Sequence, residues 1–332
     1  MKKFWLEVIQ GLWSFHKTRI TPANSYQSLI RLFCLTHGKS NDILHKFVTY
    51  FRPKKKFSHN SLFQTSSKDN VKKIVQNLNS DGYHILNEKL SLEIVESLKG
   101  YALKNLMEPE YSYETPEEIK VKKIIFDPKN LKAIRYHFTE DQIINFPEVQ
   151  KLFTDTFLLS IAQEYFNCLP LADVCAFWWL TDYSKESDVQ AATMWHFDMD
   201  RIKWLKVFIY LTDVTSETGP HMFVKGSHLS GNIPKEILNK GYARLTDEEI
   251  NKHYPSEQVM EFTAPAGTII IEDTRGLHKG KPAIKGSRLI LQLQFSDYGY
   301  GGTLTKSKFN KFNDEFTEKF IKNNKKIYER FL

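Results

Sequence analysis

The segment Trp195-His196-Phe197-Asp198 constrains this chain more than any other feature of its sequence. If the segment is extended, alternation points the imidazole of His196 and the carboxylate of Asp198 to the same side. A second imidazole, that of His278, follows the apolar run 267–271, which has the composition of a strand ending in a turn. Two imidazoles and one carboxylate on one face of a metal suit Fe(II) that must also bind a cosubstrate and dioxygen. We therefore predict a metal site formed by His196, Asp198 and His278.

Arg288 comes ten residues after His278, at the head of the alternating run 288–295. A guanidinium in this place can hold a carboxylate through two parallel hydrogen bonds. Zinc is the competing metal, since two histidines and a carboxylate also bind hydrolytic zinc. The sequence contains no HExxH helix motif, however, and a zinc site leaves Arg288 without a role. Taken singly, His278 is more often a turn residue and Arg288 more often a surface ion-pair partner.

Several motifs around these residues resemble the phytanoyl-CoA dioxygenase family of iron- and 2-oxoglutarate-dependent oxygenases. The likeness covers roughly residues 70 to 300 and is most specific in the second half of that range. The motifs are Asp81-Gly82-Tyr83-His84-Ile85-Leu86, His196-Phe197-Asp198, the run 206–214, Glu217-Thr218-Gly219-Pro220-His221, Gly226-Ser227-His228, His278 and Arg288.

The resemblance implies a mainly β fold with peripheral helices, in which a double-stranded β-helix, or cupin-like jelly roll, forms the core. It also implies that His196, Asp198 and His278 ligate Fe2+ and that Arg288 binds the distal carboxylate of 2-oxoglutarate. The implied reaction hydroxylates a small-molecule or lipid-linked substrate and releases succinate and carbon dioxide. Halogenating relatives lack the carboxylate ligand, so the presence of Asp198 favours hydroxylation.

The chain departs from the family pattern at two positions that often carry a hydroxyl group. Gly280 stands two residues after the second histidine, and Ile290 stands two residues after Arg288. Another donor must then complete the cosubstrate pocket, and Phe208 and Gln292 are candidates because alternation places each on a face shared with other candidate pocket residues. Further candidates on these faces are Lys206, Tyr210 and Gln294. His221 and His228 are not assigned to the metal.

Positive charge is concentrated at the start of the chain. Residues 1–68 carry twelve Lys or Arg against Glu7 and Asp42, a net charge of +10, which leaves −3 for the remainder of a chain whose total is +7. We predict a basic helical N-terminal extension over 1–68, a catalytic jelly-roll domain over 69–305 and a C-terminal amphipathic helix over 306–332. The helix prediction rests on four phenylalanines spaced three or four residues apart: Phe309, Phe312, Phe316 and Phe320.

The first predicted helix carries an apolar stripe of Trp5, Val8, Ile9, Leu12 and Trp13. Such a stripe either packs against other helices and the barrel, or docks on an anionic membrane together with the lysines. Nucleic acid is a weaker option, because no binding motif accompanies the charge. Three widely spaced cysteines and no apolar run long enough to span a bilayer favour a cytoplasmic protein, with peripheral membrane contact as the further expectation.

Three functions stay open from the sequence. The first is an active 2-oxoglutarate-dependent hydroxylase. The second is a metalloenzyme on the same barrel that does not use 2-oxoglutarate, which the missing hydroxyl positions permit. The third is a catalytically inactive binding protein that acts through its basic N-terminal region. The substrate, the position hydroxylated and the oligomeric state do not follow from the residues.

Overall fold

Two antiparallel sheets form the core of a computed structural model that describes residues 1–58, 60–64, 67–111, 120–184, 192–304 and 306–332. The larger sheet has seven strands in the order β1-β8-β5-β10-β4-β3-β2, and the smaller has three in the order β7-β6-β9. The strands are β1 (Tyr83–Ile85), β2 (Glu108–Glu110), β3 (Arg135–His137), β4 (Leu171–Thr181), β5 (Trp204–Tyr210), β6 (His221–Val224), β7 (Val259–Phe262), β8 (Ile269–Glu272), β9 (His278–Gly280) and β10 (Ser287–Ser296).

Helices surround this core. They are α1 (Lys2–Thr18), α2 (Ala23–Thr36), α3 (Lys39–Thr49), α4 (Lys68–Asp81), α5 (Leu92–Lys104), α6 (Glu140–Ile144), α7 (Pro147–Phe153), α8 (Thr156–Phe166), α9 (Lys235–Leu238), α10 (Asp247–Asn251) and α11 (Glu315–Asn323). Across the described residues, none of these helices is both long and apolar enough to cross a membrane.

Alternation along β10 divides the larger sheet into two faces. Leu289, Leu291 and Leu293 are buried with apolar residues of α4, α5, α7 and α8. Ile290 instead packs with Phe208 of β5 and with residues of the smaller sheet such as Phe223 and Phe262. Apolar residues at every second position thus bury one face under helices and leave the other facing the second sheet. This arrangement confirms the predicted jelly roll with peripheral helices.

The N-terminal helices pack behind the segment that carries the first two candidate ligands. Phe33 of α2 stacks on Phe197 with ring centroids 5.3 Å apart. The Asn41 side chain donates from Nδ2 to the Ile202 carbonyl oxygen at 2.9 Å. Phe197 lies between His196 and Asp198, so its burial against α2 turns both ligands towards the interior of the barrel. The proposed domain boundary at residue 68 stays a prediction.

The C-terminal helix is shorter than the spacing of phenylalanines suggests. Asp314 accepts a hydrogen bond from the Thr317 backbone N–H and caps α11, which therefore begins at Glu315. Phe309 precedes this cap, and its backbone N–H donates to the Phe331 carbonyl oxygen at 3.0 Å. Phe309 and Phe312 therefore precede the helix, with ring centroids 5.8 Å apart, and of the four phenylalanines Phe316 and Phe320 lie in it.

Candidate active site

The two histidines of the predicted triad lie side by side on paired backbone. His196 donates its N–H to the His278 carbonyl oxygen at 3.0 Å, and the reciprocal bond measures 2.8 Å. This antiparallel bridge adds the His196 segment to the edge of β9. The imidazole centroids are 4.3 Å apart. Opposite residues of an antiparallel pair share a face, so both rings point into the barrel.

Asp198 completes the cluster. Its Oδ1 lies 3.6 Å from His196 Nε2, and its Oδ2 lies 3.3 Å from His278 Nε2. The three donor atoms lie within 4.8 Å of one another, and all three residues are buried. Donors that share one ion at right angles lie about 3 Å apart when each metal–ligand bond is about 2.1 Å. The structure therefore brings together a donor set of the right type and nearly the right spacing.

Backbone carbonyls orient both imidazoles. His196 Nδ1 lies 2.8 Å from the Met194 carbonyl oxygen, and His278 Nδ1 lies 2.9 Å from that of Gly276. A carbonyl only accepts, so each Nδ1 carries the proton and each Nε2 presents its lone pair to the cluster. Burial and the neighbouring His278 hold the pKa of His196 well below its usual value, which keeps that ring neutral and able to ligate.

Lys206 of β5 is the counter-ion of the cluster. Its Nζ lies 2.5 Å from Asp198 Oδ2 and 3.3 Å from Asp200 Oδ2. Burial opposes ionisation of Asp198, but the Lys206 ammonium outweighs it and holds the pKa of Asp198 well below its usual range. The Asp198 side chain is therefore an ionised carboxylate even when no metal is bound. The sequence predicts Lys206 only as one of several residues on a candidate face.

Arg288 is buried at the head of β10 with its charge uncompensated. Its Nε and Nη1 atoms are shielded from solvent and have no hydrogen-bond partner among the described residues. The guanidinium carbon lies 5.9 Å from the centre of the Tyr210 ring, and burial lowers the pKa of Arg288 from its usual value. Arginine stays protonated in proteins even so. A buried cation with free donors is costly to keep and fits a site for an anionic ligand.

The candidate anion site at Arg288 lies close to the metal site. A Cβ built on Gly280 would be 3.5 Å from Arg288 Nη2, and Gly280 is two residues along β9 from His278. Two strand residues span about 6.6 Å. Gly280 therefore places no side chain between β9 and the guanidinium.

The two other predicted cosubstrate residues lie on the inward face but are not placed against Arg288. Phe208 and Gln292 are directly opposite each other in the β5–β10 register, and both are buried. Gln292 stands four residues along β10 from Arg288. The Phe208 ring lies 4.6 Å from the ring of His221. Contact of either residue with a cosubstrate stays a prediction.

A buried His221–Glu272 pair lies in the same space and was not predicted. His221 Nε2 and Glu272 Oε2 are 2.8 Å apart. His221 is opposite Gly280 in the β6–β9 register, and its ring centroid is 5.6 Å from that of His278. Burial raises the pKa of Glu272 to about 8 and lowers that of His221 well below its usual value. At neutral pH, protonated Glu272 therefore donates to neutral His221.

Glu272 makes the stability of the metal-free protein depend on pH. Its folded pKa of about 8 lies above the ordinary value of 4.5, so the contribution of its neutral form is complete below pH 4.5 and is lost as pH rises through 8. Glu272→Gln keeps a neutral side chain throughout. We expect the wild type to lose up to a few kcal/mol of unfolding free energy, relative to Glu272→Gln, between about pH 5 and about pH 9.

Urea unfolding of the metal-free proteins at both ends of that range measures the difference. Glu261→Gln on β7 is the matched control, because Glu261 is a partly exposed carboxylate paired with Lys281 at 3.0 Å. If the stability of the wild type and that of Glu272→Gln change equally with pH, Glu272 is ionised in the folded state.

Arg244 lies on the other side of His196 from the anion site. Trp195 and Leu245 exchange backbone hydrogen bonds of 3.1 and 2.9 Å in an antiparallel bridge, which places Arg244 opposite His196 on the inward face. The Arg244 guanidinium lowers the pKa of His196 further, after burial and His278. Its Nη1 is buried and has no hydrogen-bond partner in the described part of the chain. A second positively charged group therefore borders the metal cluster.

A jelly roll that joins two histidines and a carboxylate to a buried arginine whose donors are unpaired among the described residues is typical of metal-dependent oxygenases that use a 2-oxo acid. The family model for phytanoyl-CoA dioxygenase (PhyH) matches residues 79–287, and the chain belongs to this family. It is therefore a 2-oxoglutarate-dependent enzyme of the oxygenase class. No curated protein matches the chain.

Solved structures similar to this chain include HygX, SnoK and EctD. HygX from Streptomyces hygroscopicus, with nickel and 2-oxoglutarate bound, is 14% identical with a TM-score of 0.49 and covers 73% of this chain and 93% of its own. The 2-oxoglutarate-dependent carbocyclase SnoK from nogalamycin biosynthesis is 17% identical with a TM-score of 0.48, covering 74% and 91%. EctD from S. alaskensis, with bound Fe, is 17% identical with a TM-score of 0.43, covering 74% and 83%.

The cofactors of the family are iron and 2-oxoglutarate, and the residues present fit both. His196, Asp198 and His278 offer two neutral nitrogens and one carboxylate to a metal. Arg288 offers two unpaired donors to the distal carboxylate of the cosubstrate. When bound, iron and 2-oxoglutarate supply the oxidising power of the reaction, and the chain supplies orientation and a dry cavity.

Proposed function

We propose that this protein hydroxylates an unactivated C–H bond of its substrate, with conversion of 2-oxoglutarate and dioxygen to succinate and carbon dioxide. One oxygen atom enters the substrate and the other enters succinate, so the reaction balances without another reductant. The observation that carries the proposal is a complete triad beside a buried guanidinium with free donors. A complete triad leaves no ligand position on the protein side for a halide, which favours hydroxyl transfer.

Each residue has a defined part in this proposal. Arg288 anchors the distal carboxylate, and the short step from His278 to Gly280 sets how far the anchored molecule reaches towards the metal. Lys206 keeps Asp198 ionised and fixes its orientation before metal binding. The buried rings of Phe208 and His221 exclude water from the space between the two sites.

Anaerobic addition of 2-oxoglutarate to the Fe(II) protein tests the first step. Chelation of iron by the cosubstrate should produce a visible charge-transfer band, and its absence would favour a metalloenzyme that does not use 2-oxoglutarate. Succinate release against fractionated cell extract then identifies a substrate. Isotopically labelled dioxygen should place one label in that product, whereas an unlabelled product would indicate an epimerisation or ring closure.

We further propose that the substrate carries a carboxylate or phosphate that Arg244 binds. Arg244 lies across His196 from the cosubstrate side, where a substrate can reach the metal without displacing 2-oxoglutarate. Its buried, unpaired Nη1 is suited to a charged acceptor. An anion held there fixes the position of the neighbouring carbon relative to the metal.

Replacement of Arg244 by Gln should separate substrate binding from cosubstrate binding. Loss of one partner of a buried charge pair costs about 2–5 kcal/mol, so we expect the substrate KM to rise at least about 30-fold. The 2-oxoglutarate affinity, read from the charge-transfer band, should stay within a few-fold of wild type. Lys281→Gln is the control. Lys281 directly follows β9 and is a partly buried cation, and its charge is already neutralised by Glu261. A preferred substrate without an anionic group, or an unchanged KM, contradicts the assignment.

A further inference from the structure

Helix α1 has a second apolar stripe that faces away from the protein. Val8, Leu12 and Phe15 are buried against α2 and the barrel. Leu6, Ile9 and Trp13 lie on another side of the helix, three or four residues apart, and their exposed fractions are between 56% and 64%. The sequence predicts a single apolar stripe, but the structure divides it into two. Val8 and Leu12 turn inward, whereas Ile9 and Trp13 turn outward.

Helix α3 and the turn after it expose a similar set. Ile43, Phe47 and Phe51 have exposed fractions of 58% to 60%, and the Phe47 and Phe51 rings are 5.4 Å apart. Arg19, at the end of α1, and Arg52, just after α3, both pair with Glu329, each at 3.3 Å. The shared carboxylate brings the carboxyl ends of the two helices together. We call the six residues Leu6, Ile9, Trp13, Ile43, Phe47 and Phe51 the N-terminal apolar face.

Lysines border this face. Lys17 Nζ lies 3.5 Å from the centre of the Trp13 ring. Lys2 stands one turn before Leu6, Lys39 one turn before Ile43, and Lys46 is next to Phe47, all exposed. An indole with an ammonium group above it matches the boundary between lipid headgroups and acyl chains.

The net charge of residues 1–68 indicates what kind of partner the N-terminal apolar face binds. Residues 1–68 carry a net +10, while the rest of the chain carries −3. A second copy of this face would bring like charges together, and a nucleic acid would leave Leu6, Ile9 and Ile43 without a partner. An anionic bilayer meets both requirements, since its surface attracts the lysines and its interior accepts the apolar side chains.

We propose that the N-terminal apolar face binds peripherally to membranes that contain anionic lipid. The helices lie on the surface and do not span it, because their inner faces are occupied by the barrel. This inference does not depend on the proposed reaction. It would place the active site next to a membrane and is compatible with a lipid-linked anionic substrate.

Co-sedimentation of the full chain with vesicles tests the proposal. Vesicles of phosphatidylcholine and phosphatidylserine in a roughly 3:1 ratio should bind the protein at least about tenfold more tightly than vesicles of pure phosphatidylcholine, and added salt should weaken binding. Lys2→Gln/Lys17→Gln/Lys46→Gln should reduce binding on the order of 100-fold, since each charge contributes about fivefold. Leu6→Ser/Ile9→Ser/Trp13→Ser should reduce it at least about tenfold.

The matched control removes equally exposed apolar side chains elsewhere. Leu92→Ser/Leu103→Ser/Leu106→Ser changes residues with exposed fractions of 40% to 72% on and just after α5, and it should bind vesicles as the wild type does. Equal loss in this control, equal binding to neutral vesicles or no binding by the wild type would each overturn the proposal. So would a wild-type dimer that the Leu6/Ile9/Trp13 variant dissociates, which would identify a second copy as the occupant.

Discussion

Asp198→Asn weakens Fe(II) binding by at least about 100-fold, since changes to outer-shell partners alone already cost 10- to 100-fold. The substitution keeps the shape of the side chain and removes its charge, so the two imidazoles lose the anion that completes the donor set. Anaerobic titration with Fe(II), followed by 2-oxoglutarate, measures the effect. We expect no charge-transfer band at iron concentrations that saturate the wild type.

Asp200→Asn is the matched control for this experiment. Asp200 makes the same kind of contact with Lys206, at 3.3 Å from Nζ, but it is not part of the metal cluster. The control also loses one carboxylate partner of the buried ammonium, so any general effect of that loss appears in both variants. Iron affinity of Asp200→Asn within a few-fold of wild type assigns the effect to ligation. Equal weakening in the two variants would show that Asp198 acts only through Lys206.

Arg288→Met lowers the affinity for 2-oxoglutarate by about 30-fold to several thousand-fold while Fe(II) affinity stays near that of the wild type. The reason is that truncating one partner of a buried, hydrogen-bonded charge pair costs about 2–5 kcal/mol. In the proposed complex the guanidinium would contact the far end of the cosubstrate and none of the metal ligands. Titration of the charge-transfer band with 2-oxoglutarate at saturating iron measures the loss.

Two further measurements exclude misfolding as the cause. Removing a buried cation with unpaired donors should stabilise the metal-free protein by about 1–3 kcal/mol, so Arg288→Met should melt at a higher temperature than the wild type. Arg135→Met is the matched control, because Arg135 is level with Arg288 across β4 and its Nη1 already lies 3.8 Å from Glu110 Oε2. Comparable loss of 2-oxoglutarate affinity in both variants, or loss of iron with Arg288→Met, would contradict the assigned role.

The clustering of His196, Asp198 and His278 and the buried position of Arg288 could be predicted because their signals are local. Alternation within Trp195-His196-Phe197-Asp198 puts the two donors on one side, and burial of Phe197 against α2 confirms the outward direction of the residue between them. The run 288–295 alternates in the same way, and the structure shows one continuous strand there. Local periodicity survives folding when one face of a strand is buried, since a slip of one residue would expose the whole apolar set.

The surroundings of the site could not be predicted, because they depend on which strands become neighbours. Nothing in the sequence joins His221 to Glu272, and only the packing of the smaller sheet on the larger brings them to 2.8 Å. Arg244 borders His196 because Leu245 pairs with Trp195. Alternation places Lys206 on one face of β5 with Phe208 and Tyr210, but the sequence does not identify its partner Asp198, which comes from another segment.

The sequence by itself determined the chemistry of this protein: the donor types, their order along the chain and the strand periodicity that turns them inward. Only the tertiary structure decided which charges meet. It paired Lys206 with Asp198 and left Arg288 and Arg244 with buried donors that have no partner among the residues described. It also turned Ile9 and Trp13 outward while their neighbours on α1 turned inward. The physical reason is that periodicity acts between residues a few positions apart, whereas burial and pairing depend on contacts between distant segments.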